Sequence, residues 1–345
     1  MKQVFKFSII LVAMLSCSRE KADFIGPGYI DAPEGFAVTT PLACSPKPIN
    51  FTSGLGTVTW TAAFNNTVTW TLTLTGRTSG AVHQVTGTSN SLNHVWRGSN
   101  DGVFFFRTGE TVVGTVSFLN TAVTSSDSLT ITQAADFSSC SQYVPIYNSF
   151  TTQSSLYTYW NPYNSPPIPN ESQGVDSAAV DYKGNLVNPV EGKYYYYIKG
   201  LGNASSFVSG IQYIKNIPFN TLPADPNRVW VNVFLYGTGD PNAGLDLECQ
   251  EADAPDTKYV SSRDDAFVAH LTLNHVGWKL FSIKYADLVQ STNLGFGNNG
   301  NGIREPNRLR VFDFILLKKN NPNSPVEVYI DYPVFTVDGP FKTCK

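Results

Sequence analysis

Residues 228–237 read RVWVNVFLYG, a run that is apolar at almost every position and closes on a glycine. A strand with one face in water alternates apolar and polar side chains, whereas a strand covered on both faces is apolar throughout. The run therefore predicts a central strand, covered on both faces, inside a β-sandwich. The runs LDLECQEAD (245–253) and FVAHLTLN (267–274) do alternate, and they predict strands with one polar face.

The rest of the chain beyond residue 34 has the same β character. It is rich in Thr, Val, Tyr and Phe, arranged in short runs that Gly, Asn and Pro separate, and it contains no convincing amphipathic helix. About 310 residues of this kind predict two β domains rather than one. We place these domains at residues 35–143 and 144–345.

The first domain contains six segments that predict strands: TVTWTAAF, TVTWTLTLTG, AVHQVTGT, NHVWRG, ETVVGTVSFL and SLTITQ. Short strands at this spacing over roughly a hundred residues are typical of an immunoglobulin-like sandwich. The stretch from Trp70 to the W-x-G at Trp96 also resembles bacterial immunoglobulin-like domains. The resemblance implies a spacer domain.

The second domain ends on GWKLFSIKYADL (277–288) and VEVYIDYPVFT (326–336). Both segments resemble strands of galactose-binding-like jelly rolls, a fold shared by many carbohydrate-binding modules. The residues that carry the resemblance are Gly277, Trp278, Phe281, Ile283, Asp287, Leu288, Val328, Tyr329, Ile330, Asp331 and Phe335. The expected fold class is therefore all-β, an N-terminal immunoglobulin-like β-sandwich followed by a galactose-binding-like jelly roll.

The N-terminus has the features of an export signal. Two lysines precede an apolar run that is too short to span a bilayer and has the length of a signal-peptide core. The residues MLSC (14–17) resemble a bacterial lipobox, which implies cleavage before Cys17 and acylation of its thiol. We expect a signal peptide at 1–16, a lipid anchor at Cys17 and a flexible tether over 17–34. The alternative is an ordinary secretory signal with an incidental cysteine.

The charge balance argues against nucleic acid as a partner. The chain has 24 basic and 27 acidic residues, a formal net charge of −3, and no cluster of Lys or Arg. The four histidines are scattered, and there is neither a phosphate-cradling glycine motif nor a redox C-x-x-C pair. We therefore expect that no cofactor is required.

Four cysteines remain beside the anchor, and four cysteines allow three pairings. An exported compartment permits disulfide formation. We predict the pairing that keeps each bridge within one domain, Cys44 with Cys140 and Cys249 with Cys344, while the other two pairings stay open.

The segment SLYTYWNPYNSPPIPN (155–170) is the first candidate binding site. A segment this rich in Pro and Asn predicts a loop with exposed rings, and sugar binding in water requires flat apolar faces beside amides and carboxylates. The predicted glycan-binding residues are Trp160, Tyr157, Tyr159, Tyr163 and Asn161. The alternative is that these rings pack the edge of the domain or its interface with the first domain.

A second candidate is the Gly- and Asn-rich segment 291–308, which adds Phe296 and Arg304 to the predicted site. Its glycines allow close backbone approach to a ligand, and its asparagines can pair with hydroxyl groups. The alternative is a loop that is merely mobile. Trp230 and Trp278 lie in strong strand patterns, and we interpret both as core residues.

The acidic run around Asp246, Glu248 and Glu251 could supply the carboxylate pair of a glycosidase. Strand alternation places the first two on one face and the third on the other, so we interpret the run as a solvated strand and loop and predict no enzyme. Jelly rolls of this kind commonly carry a structural calcium ion. The resemblance makes Asp331 the candidate ligand.

A lipobox, an immunoglobulin-like spacer and a terminal jelly roll together resemble the surface glycan-binding lipoproteins of Bacteroidota, which capture polysaccharide beside a TonB-dependent transporter. The resemblance implies an outer-membrane protein at the cell surface, held on the membrane through its lipid alone. Its implied partners are a polysaccharide and an outer-membrane transporter or another barrel complex. The alternative is an accessory structural subunit of a larger outer-membrane complex, whose aromatic segment would bind protein.

Overall fold

The structure is a computed structural model that describes residues 28–51, 56–135, 137, 143–145, 157–160, 175–176, 179–200, 207–214, 221–253, 259–291, 299–319 and 325–343. For residues 143–145, 157–160, 175–176, 179 and 211–214 it describes the backbone alone. Cys17, the signal peptide and most of the tether lie outside these ranges.

The predicted all-β class is confirmed: 57% of residues lie in strands, and no helix of seven or more residues occurs in the part of the chain that is described. Within the described residues, single-turn 3₁₀ helices lie at Pro226–Arg228, Tyr285–Asp287 and Pro306–Arg308. Within the described ranges no helix has the length and apolarity that crossing a membrane requires.

The strands are numbered β1 to β20 in chain order. In the first domain they are β1 Val38–Ser45, β2 Ile49–Asn50, β3 Val58–Gly76, β4 Val82–Trp96, β5 Thr111–Phe118 and β6 Thr124–Gln133. In the second domain they are β7 Tyr143–Pro145, β8 Tyr157–Trp160, β9 Val175–Asp176, β10 Ala179–Val180, β11 Leu186–Val187, β12 Tyr195–Gly200, β13 Phe207–Ile214, β14 Val229–Thr238, β15 Ala243–Glu251, β16 Asp265–Thr272, β17 Val276–Lys284, β18 Val289–Gln290, β19 Leu309–Lys318 and β20 Val326–Val337.

The first domain is a sandwich built on one long hairpin, and its six strands β1 to β6 form sheet I. Four of the segments predicted as separate strands form only two, β3 and β4, and that prediction was wrong about their number. The β3–β4 register shifts between Ala63 and Val68, and β3 pairs with β1 before this shift and with β5 after it. The hairpin therefore folds over and contributes a strand pair to each layer of the sandwich.

Close contacts between the two layers confirm this folding of the hairpin. The indole of Trp60 lies against the backbone of Gly114 on β5. The Nε2 atoms of His83 and His94, eleven positions apart on β4, are 3.1 Å from each other. Since a strand rises about 3.3 Å per residue, two such residues could not meet on a straight strand. Trp60, Trp96 and Leu74 are fully buried between the layers.

The second domain consists of two facing sheets. Sheet II has the order β17-β14-β20-β12-β9, with β7 also paired to β20, and sheet III has the order β18-β16-β15-β19-β13-β8. Their inner faces form one core that includes Val231, Leu235, Leu247, Phe312 and Ile330. The strand β14 lies between β17 and β20 and is buried along nearly its whole length, so the predicted central strand is confirmed.

The outer face of sheet II is a layer of aromatic side chains covered by the first domain. Phe105 packs with its ring centroid 5.6 Å from that of Phe234, 5.1 Å from Tyr332 and 5.9 Å from Phe341. Trp278 is buried in the same layer, which confirms its interpretation as a core residue, whereas Trp230 on β14 is only partly buried, so the same interpretation was wrong for Trp230. Edge-to-face and stacked contacts of this kind are favourable beyond the apolar area they bury.

Charged groups are enclosed at this interface. Arg107 of the first domain donates from its guanidinium to the carbonyl of Pro189, 2.7 Å away. Asp331 is 1% exposed, and its carboxylate accepts backbone N–H groups of Val190 and Glu191. Burial raises the pKa of Asp331 to about 7 and that of Glu191 to about 8, and the nearby Asp331 charge adds to the Glu191 shift.

Cys44 and Cys249 are free, buried thiols among the described residues, so the predicted bridges from these two cysteines are not formed. The Cys249 side chain lies wholly in the core of the second domain, where β15 runs between β16 and β19. The Cys44 sulfur lies 3.9 Å from the carbonyl of Ser128, and burial raises the pKa of its thiol to about 12. Cys140 and Cys344 lie outside the described residues.

We expect Gly114→Ala to destabilise the protein by about 1–3 kcal/mol, the usual cost of overpacking a filled core. A Cβ atom at this position would lie 2.3 Å from Cζ3 of Trp60, whose ring is enclosed between the two layers. Urea unfolding measures the change. The matched control is Gly102→Ala, where no atom lies within 4 Å of the added carbon. Equal stability of the two variants would contradict the folded-hairpin account.

The interface carboxyl groups predict a pH dependence of stability. A carboxyl group whose pKa is higher in the folded than in the unfolded state binds more protons when folded, so stability falls as pH rises between the two values. For Glu191 this interval runs from 4.5 to about 8. We expect Glu191→Gln to weaken the fall in melting temperature between about pH 5 and pH 8, measured calorimetrically. Glu34→Gln, at an exposed position, should retain the wild-type slope.

Candidate functional site

The aromatic segment predicted as a loop begins with a strand. Residues 157–160 form β8, the edge strand of sheet III, and pair antiparallel with β13. The loop prediction was wrong for these four residues because pairing with β13 satisfies their backbone groups despite the Pro-rich sequence that follows. Asn161 and Tyr163 lie outside the described residues. The first domain packs on sheet II, so β8 is not part of the domain interface.

The strand register of sheet III places Trp160 in a cross-strand row with polar residues. Trp160 stands opposite Gly210, Gly210 opposite Ile315, and Ile315 opposite Asp246, which in turn stands opposite His270. Residues directly opposite one another in a sheet lie on the same face. The row therefore crosses five strands on the outer face of sheet III.

The register separates the tyrosines of β8 from this row. Tyr159 stands in the row of Phe314 and Tyr157 in the row of Phe312, and both phenylalanines belong to the core between the two sheets. Of the three predicted binding residues on β8, only Trp160 shares a row with Asp246.

On the same face of sheet III, the next row contains Glu248 and Asp313 and the row after it contains Gln250. The side chains of these three residues form a buried hydrogen-bond network. The side-chain amide of Gln250 donates to Oε1 of Glu248 at 2.8 Å and to Oδ2 of Asp313 at 2.9 Å. The hydroxyl of Ser291 donates to Oε2 of Glu248 at 3.2 Å. Both amide hydrogens of Gln250 are thus used to hold two carboxyl groups side by side, and this fixes the position of all three side chains.

One end of the Trp160 row is open to solvent. His270 has 60% of its side chain exposed, and its Nδ1 lies 2.6 Å from Oδ1 of the buried Asp246. Residues 146–156 and 161–174, which flank β8 in sequence, and residues 292–298, which follow β18 in sequence, lie outside the described residues.

Burial governs the electrostatics of the network. It raises the pKa of Glu248, and the hydrogen bonds from Gln250 and Ser291 oppose that shift. Carboxyl groups held in this way are fixed hydrogen-bond acceptors, while the donors of the Gln250 amide are used within the network itself.

Glu251 lies on the opposite face of β15 from Asp246 and Glu248, as side-chain alternation predicts. Its Oε1 accepts from the hydroxyl of Tyr285 at 2.6 Å, its Oε2 accepts from the backbone N–H of Glu305 at 2.8 Å, and burial raises its pKa to about 8. Tyr285 belongs to the core of the second domain. Asp246, Glu248 and Glu251 therefore do not converge on one face.

The second predicted site is not assembled by the described residues. Phe296 lies outside them. Arg304 is engaged in packing: its guanidinium lies 5.0 Å from the ring centroid of Phe267, and its Nε donates to the carbonyl of Leu288 at 2.7 Å. These two contacts hold Arg304 against β16 and against Leu288, which precedes β18.

The surroundings of Asp331 do not fit the calcium ion that the resemblance implies. Its Oδ2 accepts two backbone N–H groups and its Oδ1 accepts the N–H of Tyr332, so hydrogen-bond donors surround the carboxylate where calcium would require oxygen ligands. Across the described ranges no group of three or more His, Cys, Asp or Glu side chains is arranged to hold a metal ion.

Gln250, Asp313 and His270 are residues of this face that sequence reasoning missed. The signal was available for Asp313, a lone acid inside the apolar run VFDFILL (311–317), because such an acid must have a partner when buried. The alternation in 245–253 was interpreted as a solvated strand, whereas Asp246, Glu248 and Gln250 are at most 2% exposed.

Comparison with known proteins gives a likeness in fold alone. No protein-family model matches the chain, and no curated protein matches it. The similar solved structures include carbohydrate-binding modules with a β-sandwich fold and part of an exo-β-agarase.

One of them is the family 11 module of the cellulosomal cellulase Lic26A-Cel5E of Clostridium thermocellum, 10% identical, covering 57% of this chain and 95% of the module at a TM-score of 0.38. Another structure of that family 11 module, in complex with a β-1,3-1,4-mixed-linked tetrasaccharide, is 11% identical and covers 57% of this chain and 97% of its own at a TM-score of 0.38. The C-terminal family 22 module of Clostridium thermocellum Xyn10B is 14% identical, covering 57% and 97% at a TM-score of 0.31. At these values the likeness does not extend to the residues of a site.

The hydrogen-bond network of Gln250 predicts that a negative charge at position 250 lowers the stability of the protein. We expect Gln250→Glu to place three carboxyl groups together and to destabilise the protein by about 1–3 kcal/mol near pH 7, because a buried acceptor pair loses its donor. Since protonation restores a donor, lowering the pH to about 5 should recover part of the loss. Urea unfolding at both pH values measures this effect. Gln84→Glu on the exposed side of β4 is the control, and an equal loss in both variants would exclude the network account.

Proposed function

We propose that the protein binds a polysaccharide without cleaving it, along the cross-strand row on the outer face of sheet III. The single observation that carries the proposal is the row itself. It joins Trp160 at one edge of the sheet to Asp246 and the exposed His270 at the other, beside the Gln250 network.

The dimensions and chemistry of the row support this function. Four strand spacings of about 4.8 Å separate β8 from β16, so the row is about 19 Å long, which suits several linked sugar units. An aromatic ring can stack on the C–H face of a sugar, while carboxylate and amide groups hydrogen bond to its hydroxyls.

The cellular setting of the proposal comes from the N-terminus and the domain order. In this proposal the lipid on Cys17 holds the chain on the outer membrane at the cell surface, and the first domain holds the second away from the bilayer. The captured polysaccharide is then passed to an outer-membrane transporter. The large aromatic interface supports a rigid arrangement of the two domains, which suits a spacer.

A second candidate function is that of a structural subunit of a larger outer-membrane complex. The observation that favours it is an apolar patch on the β10–β11 hairpin, where Val180 is 57%, Tyr182 46% and Leu186 59% exposed. Exposed apolar residues on a rigid hairpin are typical of a protein-binding surface.

Affinity electrophoresis of the full chain against neutral and acidic polysaccharides tests the proposal. We expect retardation by at least one polysaccharide and an affinity at least about tenfold weaker in Trp160→Ala, since an aromatic anchor contributes on the order of 2 kcal/mol. Tyr182→Ala removes an exposed ring elsewhere in the same domain and is the matched control.

Two outcomes would overturn the proposed function. The first is no retardation of the folded protein by any polysaccharide, and the second is equal weakening by both substitutions. Co-purification of a membrane protein that Tyr182→Ala abolishes, without polysaccharide binding, would favour the structural subunit.

A further inference from the structure

The outer face of sheet III has a solvent-exposed end where two basic side chains lie. His270 ends the Trp160 row and has 60% of its side chain exposed. Lys319, the residue after β19, is exposed as well, and so is Thr272, the next outward-facing residue of β16. A ligand can therefore reach these three side chains without any rearrangement of the core.

Strand register and one contact place Lys319 on this outer face. Gly244 is two residues before Asp246 on β15 and shares its face. Leu317 stands opposite Gly244, and Lys319 is two residues beyond Leu317. The backbone N–H of Lys319 donates to the carbonyl of Asn242 at 2.8 Å, so the two chain segments stay paired up to this position. A Cβ atom built on Gly244 would lie 3.7 Å from Cε of Lys319, so the stem of the lysine lies over Gly244.

The same register brings the lysine amine near His270. Gly244 stands opposite Thr272, and Asp246 stands opposite His270. Gly244 and His270 are thus diagonal neighbours, whose positions lie about 7–8 Å apart in an antiparallel pair. The amine is one bond beyond the Cε atom that lies over Gly244. Lys319 and His270 therefore border one patch of surface, with Thr272 beside them.

Both basic groups have a nitrogen available to a ligand. Nδ1 of His270 is held by Asp246 at 2.6 Å, which orients the exposed ring and leaves Nε2 as the second nitrogen. Nε2 has no hydrogen-bond partner in the part of the chain that the structure describes, and the amine of Lys319 has neither a hydrogen bond nor an ion pair there. Asp246 is therefore a positioning residue for His270.

The acids at this end of the sheet are engaged within the protein. Four of them have a hydrogen-bond partner among the described residues: Asp246 has His270, Glu248 and Asp313 share the Gln250 amide, and Asp240 has Asn242. Burial also raises the pKa of Glu248, which favours its uncharged form. The lysine amine, by contrast, has no carboxylate partner in these ranges, so its charge is available to a ligand.

This arrangement favours an anionic group on the ligand. An ammonium group is a point charge with three donors, and an imidazole donates from Nε2 when the ring is charged. Hydrogen bonds from such cations to a carboxylate or a sulfate oxygen are stronger than those to a neutral hydroxyl. A neutral sugar would leave the lysine charge unmatched.

We propose that the sheet III site prefers an acidic polysaccharide, one of whose anionic groups binds between Lys319 and His270. The inference rests on the proposed function for the site and names the class of its ligand. The anionic group is the carboxylate of a uronic acid or a sulfate ester. Lys319 supplies the charge, and His270, oriented by Asp246, supplies a second donor.

Affinity electrophoresis of the full chain tests the proposal with pairs of polysaccharides that share a backbone and differ in charge. Polygalacturonate is compared with its methyl ester, alginate with its propylene glycol ester, and dextran sulfate with dextran. The first two pairs report on a carboxylate and the third on a sulfate ester. We expect at least one charged member to retard the protein more strongly than its uncharged partner.

Lys319→Gln removes the charge at an exposed position. We expect it to weaken binding of the charged member about three- to fivefold, the range for an exposed ion pair, and to leave binding of the uncharged member unchanged. Lys193→Gln is the matched control, because it removes the same charge from an exposed position before β12 of sheet II and should retain wild-type binding. Lys319→Arg keeps the charge and should keep the preference, while His270→Gln should reduce it. Circular dichroism establishes that each variant is folded.

The outcomes separate this inference from the proposed function. Equal retardation by both members of every pair, with binding that Trp160→Ala weakens, overturns the acidic preference and retains the proposed function. Equal losses in Lys319→Gln and Lys193→Gln indicate a general attraction of charge and also overturn the preference. No retardation by any polysaccharide overturns both. A preference that is lost in Lys319→Gln and kept in Lys193→Gln supports the inference.

Discussion

The outer face of sheet II is apolar, and the need to remove it from water organises the whole molecule. A sheet whose two faces are both apolar must be covered twice, once by its partner sheet and once by something else. Phe105 and Phe137 of the first domain supply much of the second cover, together with the segment around Val187 and Val190. The two domains are joined by an aromatic core rather than by a tether alone.

The covering of this apolar face explains why the pKa values of the interface carboxyl groups are raised. Docking the first domain encloses Asp331 and Glu191 beside Arg107, and removal of water is the largest cause of the raised pKa of both carboxyl groups. The stability and the titration of the interface thus share one origin.

Sheet III differs from sheet II because its outer face is polar. Its inner face is core, while its outer face carries Asp246, Glu248, Gln250 and Asp313. Polar groups removed from water must pair with one another, and here a single glutamine amide joins two carboxyl groups. Side chains held so firmly are suited to recognition, since little of their motion remains to be lost when a ligand binds.

Much of the architecture followed from local patterns, and the errors arose where distant segments meet. The continuous apolar run at 228–237 correctly predicted a strand covered on both faces. The hairpin of β3 and β4 was divided into four strands because a fold-over inside a strand leaves no distinct local signal. The aromatic segment at 157–160 was predicted as a loop because its pairing partner β13 lies about fifty residues away.

The sequence alone determined the all-β class, the central strand and the burial of Trp278, because side-chain alternation depends only on neighbouring residues. Only the tertiary structure decided that Trp160 shares a row with Asp246 and His270, that Gln250 joins Glu248 to Asp313, and that Lys319 lies over Gly244. The physical reason is that register and docking depend on contacts between residues far apart in the chain, which no local pattern encodes.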